Sequence, residues 1–197
     1  DHTHVTGNPN YAGLHHDLNV QETILKDLNI NKEQELYTFF SNQLVLDVAA
    51  LKRLTALLEA LFLYEKAAVF CLKLHPRTSD DEVAKLKAWA SENSKLNIII
   101  VRDYFGDLSN LQFIALSKAI LVEDSNVGLL AMHYQKPVFI VAVGDDKYTD
   151  ESFFTYFDEI LDSTSPEKFQ KCLSLIDQKD ALESVLKAQD ALSKDLC

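Results

Sequence analysis

Two spacings of apolar residues alternate along this chain. Short continuous runs have the length and the β-branched or aromatic content of buried strands: Leu36-Tyr37-Thr38-Phe39-Phe40-Ser41, residues 67–74, Asn97-Ile98-Ile99-Ile100-Val101, Ala119-Ile120-Leu121-Val122 and residues 138–143. Between them the period changes to that of a helix. Leu51, Leu54, Leu57, Leu58, Leu61 and Phe62 mark a long helix over residues 47–66, and Val83, Leu86, Trp89 and Ala90 mark another over 80–91. Shorter helices are predicted over 21–28, over 108–117, and directly after Asp124-Ser125-Asn126. Beyond residue 143, Phe153-Phe154 and Tyr156-Phe157 fall on a short helix, Ile160-Leu161 on an edge strand, and residues 166–197 on a helical stretch. Strand and helix in strict alternation predict an α/β fold, a doubly wound parallel sheet with helices on both faces and helices at the C-terminus.

Composition narrows the function classes. The chain has 197 residues, 47% hydrophobic and 25% charged, which is ordinary for a soluble globular protein. No apolar run approaches the roughly 20 residues that span a bilayer. A formal charge of −11 argues against the phosphate-backbone binding of basic proteins, so no nucleic-acid partner is expected. An anionic ligand would have to be held by local dipoles and a few cations. Cys71, Cys172 and Cys197 form an odd set without CxxC spacing, as in a reduced cytoplasmic chain whose Cys71 is a core residue. His2, His4, His15 and His16 lie near the start, but no Cys or Glu stands at ligand spacing, and no metal site is expected. The first residues carry neither an initiator Met nor an apolar signal segment, so the chain is expected to be a piece with an upstream partner. Gly7-Asn8-Pro9-Asn10 is a turn signal in residues 1–19.

The candidate chemistry lies on the strand exits, which a parallel sheet brings to one edge. They are Ser41-Asn42-Gln43, His75-Pro76-Arg77, Tyr104-Phe105-Gly106 and Asp124-Ser125-Asn126. Ser125 and Asn126, at the start of a helix, suit a diphosphate, although a plain N-cap needs the same residues. His75 and Arg77 suit a phosphate or a leaving group that needs a positive partner. Tyr104 and Phe105 are placed to flank a base. Singly, each has a simple structural role open to it: a solvated loop, a helix cap, a covered sheet edge. Jointly, convergent polar and aromatic exits mark a ligand cleft.

These segments carry a resemblance. Val5-Thr6-Gly7-Asn8-Pro9 resembles the TGNP segment leading from the first to the second domain of GT-B proteins. Phe39-Phe40-Ser41-Asn42-Gln43, Lys73-Leu74-His75-Pro76-Arg77, and Asp124-Ser125-Asn126-Val127-Gly128 followed by Lys136-Pro137-Val138 resemble their donor-binding C-terminal half. Two branches are similar: UDP-GlcNAc 2-epimerases, and the HP-motif transferases that include CDP-glycerol polymerases and bacterial sialyltransferases. The resemblance implies a Rossmann-like half of a GT-B glycosyltransferase. Residues 1–19 would be a hinge, 20–165 the nucleotide-sugar-binding domain and 166–197 a helical extension. It implies that His75 is catalytic and that Gly7, Asn8, Asn42, Gln43, Arg77, Tyr104, Phe105, Asp124, Ser125 and Asn126 bind a UDP- or CMP-type nucleotide sugar. No cofactor or metal is implied, and no turnover without the N-terminal half. The sequence departs from the epimerase pattern at Asn126-Val127 and Leu129-Leu130, where that pattern has glycines and then paired glutamates that would hold the ribose. An epimerase-like domain and a non-catalytic scaffold or partner subunit are the rival readings. A flavodoxin-like or response-regulator domain is disfavoured, for want of an acidic pocket and a Gly-rich first loop.

Overall fold

The computed structural model describes residues 18–42, 45–102, 108–123, 125–144 and 161–196. Its elements alternate as the apolar periods require: α1 (Leu18–Asp27), β1 (Glu35–Phe40), α2 (Val48–Tyr64), β2 (Ala68–Lys73), α3 (Asp80–Glu92), β3 (Ile98–Val101), α4 (Leu108–Leu116), β4 (Ala119–Val122), α5 (Val127–His133), β5 (Val138–Ile140), β6 (Leu161–Asp162), α6 (Pro166–Ile176) and α7 (Lys179–Leu196). The six strands form one sheet in the order β3-β2-β1-β4-β5-β6, and every pairing is parallel. This is the Rossmann-like order, in which the chain first builds outward from β1 on one side and then resumes beside β1 with β4.

Period-two alternation divides the strands between two cores. Tyr37 and Phe39 of β1 and Phe70 and Leu72 of β2 face α2, α3 and α6, among Leu54, Leu58, Leu61, Leu86, Phe169 and Leu173. Leu36, Phe40, Val69 and Cys71 face the other helices, among Ile24, Phe113, Ile114, Leu130, Met132 and Leu192. Thr38 lies on this second face yet is buried, which requires a partner for its hydroxyl. Thr38 Oγ1 lies 2.7 Å from Ser117 Oγ. Ser117 Oγ donates to Phe113 O at 2.7 Å. The one consistent relay therefore runs from Thr38 through Ser117 to the backbone.

The sequence alone predicts one C-terminal helical stretch; the structure breaks it at Asp177-Gln178 into α6 and α7. The break sends α6 onto α2 and α7 onto α5, one on each side of the sheet. α7 is fixed by Gln189, fully buried, whose amide accepts from Val138 N (3.1 Å) and donates to Val138 O (3.2 Å). The side-chain amide thus replaces a strand neighbour where β6 has not yet begun. Among the described residues, no helix is long and apolar enough to cross a membrane.

Candidate functional site at the carboxyl edge

All the parallel strands end at the same edge, so the exits of β1, β2, β3, β4 and β5 are neighbours there. The order reverses between β1 and β4, and the crevice at such a switch point is where open α/β sheets bind ligands. Ser41-Asn42 leaves β1 on one side of it and Ser125-Asn126 follows β4 on the other. His75-Pro76-Arg77 leaves β2, one strand further out. With strands about 4.8 Å apart, the β2 and β4 exits are separated by roughly 10 Å.

Ser125 does most of the work in its turn. Its Oγ accepts from Val127 N at 3.3 Å and its carbonyl accepts from Gly128 N at 2.8 Å. Asn126 is exposed, has helical backbone angles and makes no side-chain capping bond. Because Ser125 Oγ is used locally as an acceptor, its O–H remains as a donor to a ligand. α5 has seven residues, so its dipole adds little, and the N–H groups of Val127 and Gly128 are already taken up by Ser125, so the Ser125 hydroxyl is the donor this turn offers.

His75 is half-buried and begins a turn in which Thr78 N bonds its carbonyl at 2.9 Å, with Pro76 supplying the fixed φ of the second position. Its Nδ1 accepts from Arg77 N at 3.1 Å. With Nδ1 engaged inside the turn, Nε2 is the ring nitrogen left to meet a ligand. Arg77, in the same turn, has an exposed side chain. Arg77 does not cap α3 either; Ser79 does so, accepting from Glu82 N at 3.2 Å.

Asn42 is exposed beside the buried Ser41, whose N–H bonds Lys73 O at 3.0 Å and so ties the β1 exit to β2. Gly7, Asn8, Gln43, Tyr104, Phe105 and Asp124 lie outside the described residues, as do the four N-terminal histidines. Among the described residues, no cluster of His, Cys, Asp and Glu could hold a metal ion.

The structure adds a set of residues that the motifs do not contain. Charged side chains bind the main chain of the exit loops and fix them against one another. Glu82 of α3 accepts from Leu46 N (2.9 Å), and Lys85 donates to Leu46 O (2.8 Å), holding the β1–α2 loop. Glu123, 4% exposed, accepts from Val143 N (3.1 Å) and Gly144 N (2.7 Å). Arg53 of α2 donates to the carbonyls of the same two residues at 2.9 and 2.5 Å, so both sides of the β5 exit are held. Arg102, after β3, donates to Thr78 O (2.9 Å) and to Asp80 (2.6 Å), which pins the far end of the His75 turn. Lys73, 5% exposed, donates to Arg102 O at 3.2 Å. These bonds tie the described parts of the exit loops to α2, α3 and one another, and groups held in place in this way need little reorganisation to meet a ligand. Two surface grooves lie elsewhere, one beside β3 and one between α2 and α3.

No family model matches this chain, and no curated protein matches it in sequence. Its fold has clear counterparts among solved structures. An α,α-trehalose-phosphate synthase (UDP-forming) from Burkholderia vietnamiensis superposes with a TM-score of 0.66 at 12% identity, over 88% of this chain and 41% of that one. The wall teichoic acid polymerase TagF, in a structure with CDPG, gives 0.59 at 18% identity, over 89% and 40%. MnaA of S. aureus, in a structure with UDP, gives 0.59 at 13% identity, over 88% and 45%. The chain spans about two-fifths of each of these proteins. These identities establish likeness of fold: a six-stranded parallel α/β domain of the Rossmann-like class. Within that class it has the fold of one half of a GT-B glycosyltransferase.

Proposed function

We propose that this chain is the nucleotide-sugar-binding, C-terminal half of a GT-B glycosyltransferase, and that it needs an N-terminal half to turn over. The observation that carries the reading is the switch point between β1 and β4, flanked by Ser125 and, one strand beyond β1, by the His75 turn. In this reading the donor's diphosphate lies across the exits. The Ser125 O–H and the His75 Nε2–H donate to its oxygens, and Arg77 supplies the charge. As the sugar departs, negative charge grows on the leaving diphosphate, and donors already held in place stabilise it without reorganising. UDP and CDPG in structures of the similar proteins support a pyrimidine nucleotide as the donor group.

Titration calorimetry with UDP, CMP and their sugars tests this. The expected result is weak, millimolar binding of one nucleotide family, reduced roughly tenfold by His75→Ala or Ser125→Ala, as for loss of a hydrogen bond to a charged group. Binding unaffected by both substitutions would overturn the site. One observation favours a second reading, a non-catalytic scaffold. Where the epimerase pattern has paired glutamates, Leu130 is buried and Leu129 packs against the same core, so no carboxylate is available there for a ribose. Absence of heat with every nucleotide at millimolar concentration would support that reading.

A further inference from the structure

At the opposite side of the sheet from β6, β3 is the edge strand among the described residues, and the donor reading leaves it unused. Phe70 N bonds Asn97 O at 2.9 Å and Leu74 N bonds Val101 O at 2.7 Å, so the odd-numbered residues of this strand turn their main-chain groups toward β2. Parallel pairing alternates, and the N–H and C=O groups of Ile98 and Ile100 therefore point away from the sheet. Among the described residues, no strand pairs beyond them. Natural edges are blunted by a bulge, a proline or a lysine on the strand. β3 is short, at four residues, but has no bulge, proline or lysine and reads Ile98-Ile99-Ile100-Val101, with all three isoleucines partly exposed.

Beside this edge runs a groove of about 570 Å³, whose lining includes Ile98, Ile100, Lys87 and Lys95 and no carboxylate. The lysines stand on α3 and on the turn after it, so they border the edge rather than block it. Lys95 also reaches Glu59 at 4.0 Å, but both side chains are exposed and such a pair is weak. In a chain of net charge −11, a groove lined by two cations and no anion selects for a negative occupant. We propose that β3 takes an extended, acidic segment of a partner protein as an added parallel or antiparallel strand. Main-chain bonds to Ile98 and Ile100 hold it, and its carboxylates lie beside Lys87 and Lys95. This is β-augmentation, in which the backbone supplies affinity and the flanking pockets supply selectivity.

Fluorescence anisotropy of a labelled peptide with alternating Glu and Val tests it, against a Lys/Val peptide and a Glu/Val peptide N-methylated at alternate amides. The unmethylated acidic peptide should bind and the two controls should not. The double substitution Lys87→Glu, Lys95→Glu, at a solvated surface, should weaken binding roughly tenfold or more. Ile100→Pro removes an outward N–H without a ladder bond, a change that edge strands tolerate, and should abolish binding while the thermal transition persists. Equal binding of the lysine peptide, or of the N-methylated one, would overturn the proposal. So would self-association of the chain that Ile100→Pro abolishes, because the edge would then take a second copy. None of these outcomes bears on nucleotide binding, which lies on other residues.

Discussion

Glu123 shows how single residues build the carboxyl edge. It follows β4 directly, and its carboxylate is buried against two backbone N–H groups, Val143 and Gly144. Glu123→Ala leaves those donors without their acceptor, and an unsatisfied buried donor costs about 1–3 kcal/mol. Denaturant unfolding should show a loss of that size, with hydrogen exchange at residues 143–144 speeding up before the rest of the sheet. The sequence alone passes over this residue. A glutamate after an apolar run reads as the solvated end of a strand, and its role depends on a loop 20 residues later. The same holds for Arg53, Glu82 and Lys85, which sit on helices predicted from their apolar faces alone. Ser125 and His75 were legible because they stand in turns, where polar side chains act on neighbours in sequence. Their local bonds were not: nothing in the sequence shows that His75 Nδ1 accepts from Arg77 N.

Elements were legible where period and length agree. α2, predicted over residues 47–66, spans Val48–Tyr64 with Asp47 as its N-cap, accepting from Ala50 N at 2.7 Å. The division of the C-terminal stretch was not legible, because Asp177 and Gln178 carry no Gly or Pro to mark a break. What fixes it is tertiary. Asp177 accepts from Tyr64 at 2.7 Å and pairs with Lys118 at 3.0 Å, joining the α6–α7 turn to the end of α2 and the start of β4. Burial alone would raise the Asp177 carboxyl, but the bonds from Tyr64 and Lys118 outweigh it and hold the group below the ordinary carboxylate range. A carboxyl lowered in the folded state stabilises at pH values above its unfolded pKa, and that contribution is lost as pH falls through the lowered folded value. Asp177→Asn should therefore reduce stability at neutral pH and flatten the acid limb of a Tm-against-pH curve. Unchanged acid dependence would remove Asp177 from the account. The end of α5 makes a second element-scale case. Gln135 follows the helix at φ 54°, and Lys136 N closes the turn onto Ala131 O at 3.0 Å. A left-handed residue there favours glycine, so Gln135→Gly should raise stability by about 0.5–1 kcal/mol in thermal unfolding.

At the scale of the whole molecule, the alternation of periods was enough to specify an all-parallel, doubly wound sheet, because parallel strands need crossovers and crossovers have one hand. The order β3-β2-β1-β4-β5-β6 places the switch point between β1 and β4, and the likeness of fold to halves of glycosyltransferases follows from that order. The functional account adds a claim that fold does not supply: a nucleotide's phosphates bind across the exits of β1, β2 and β4. Function lives in sites grafted on folds, so the claim needs its own test. Amide chemical shifts of the chain titrated with UDP and, separately, CMP give the most direct one. The account predicts that one nucleotide moves the resonances of residues 41–42, 75–78 and 125–128 together, with a single saturation curve. Shifts confined to other parts of the surface, or none at millimolar nucleotide, would contradict it.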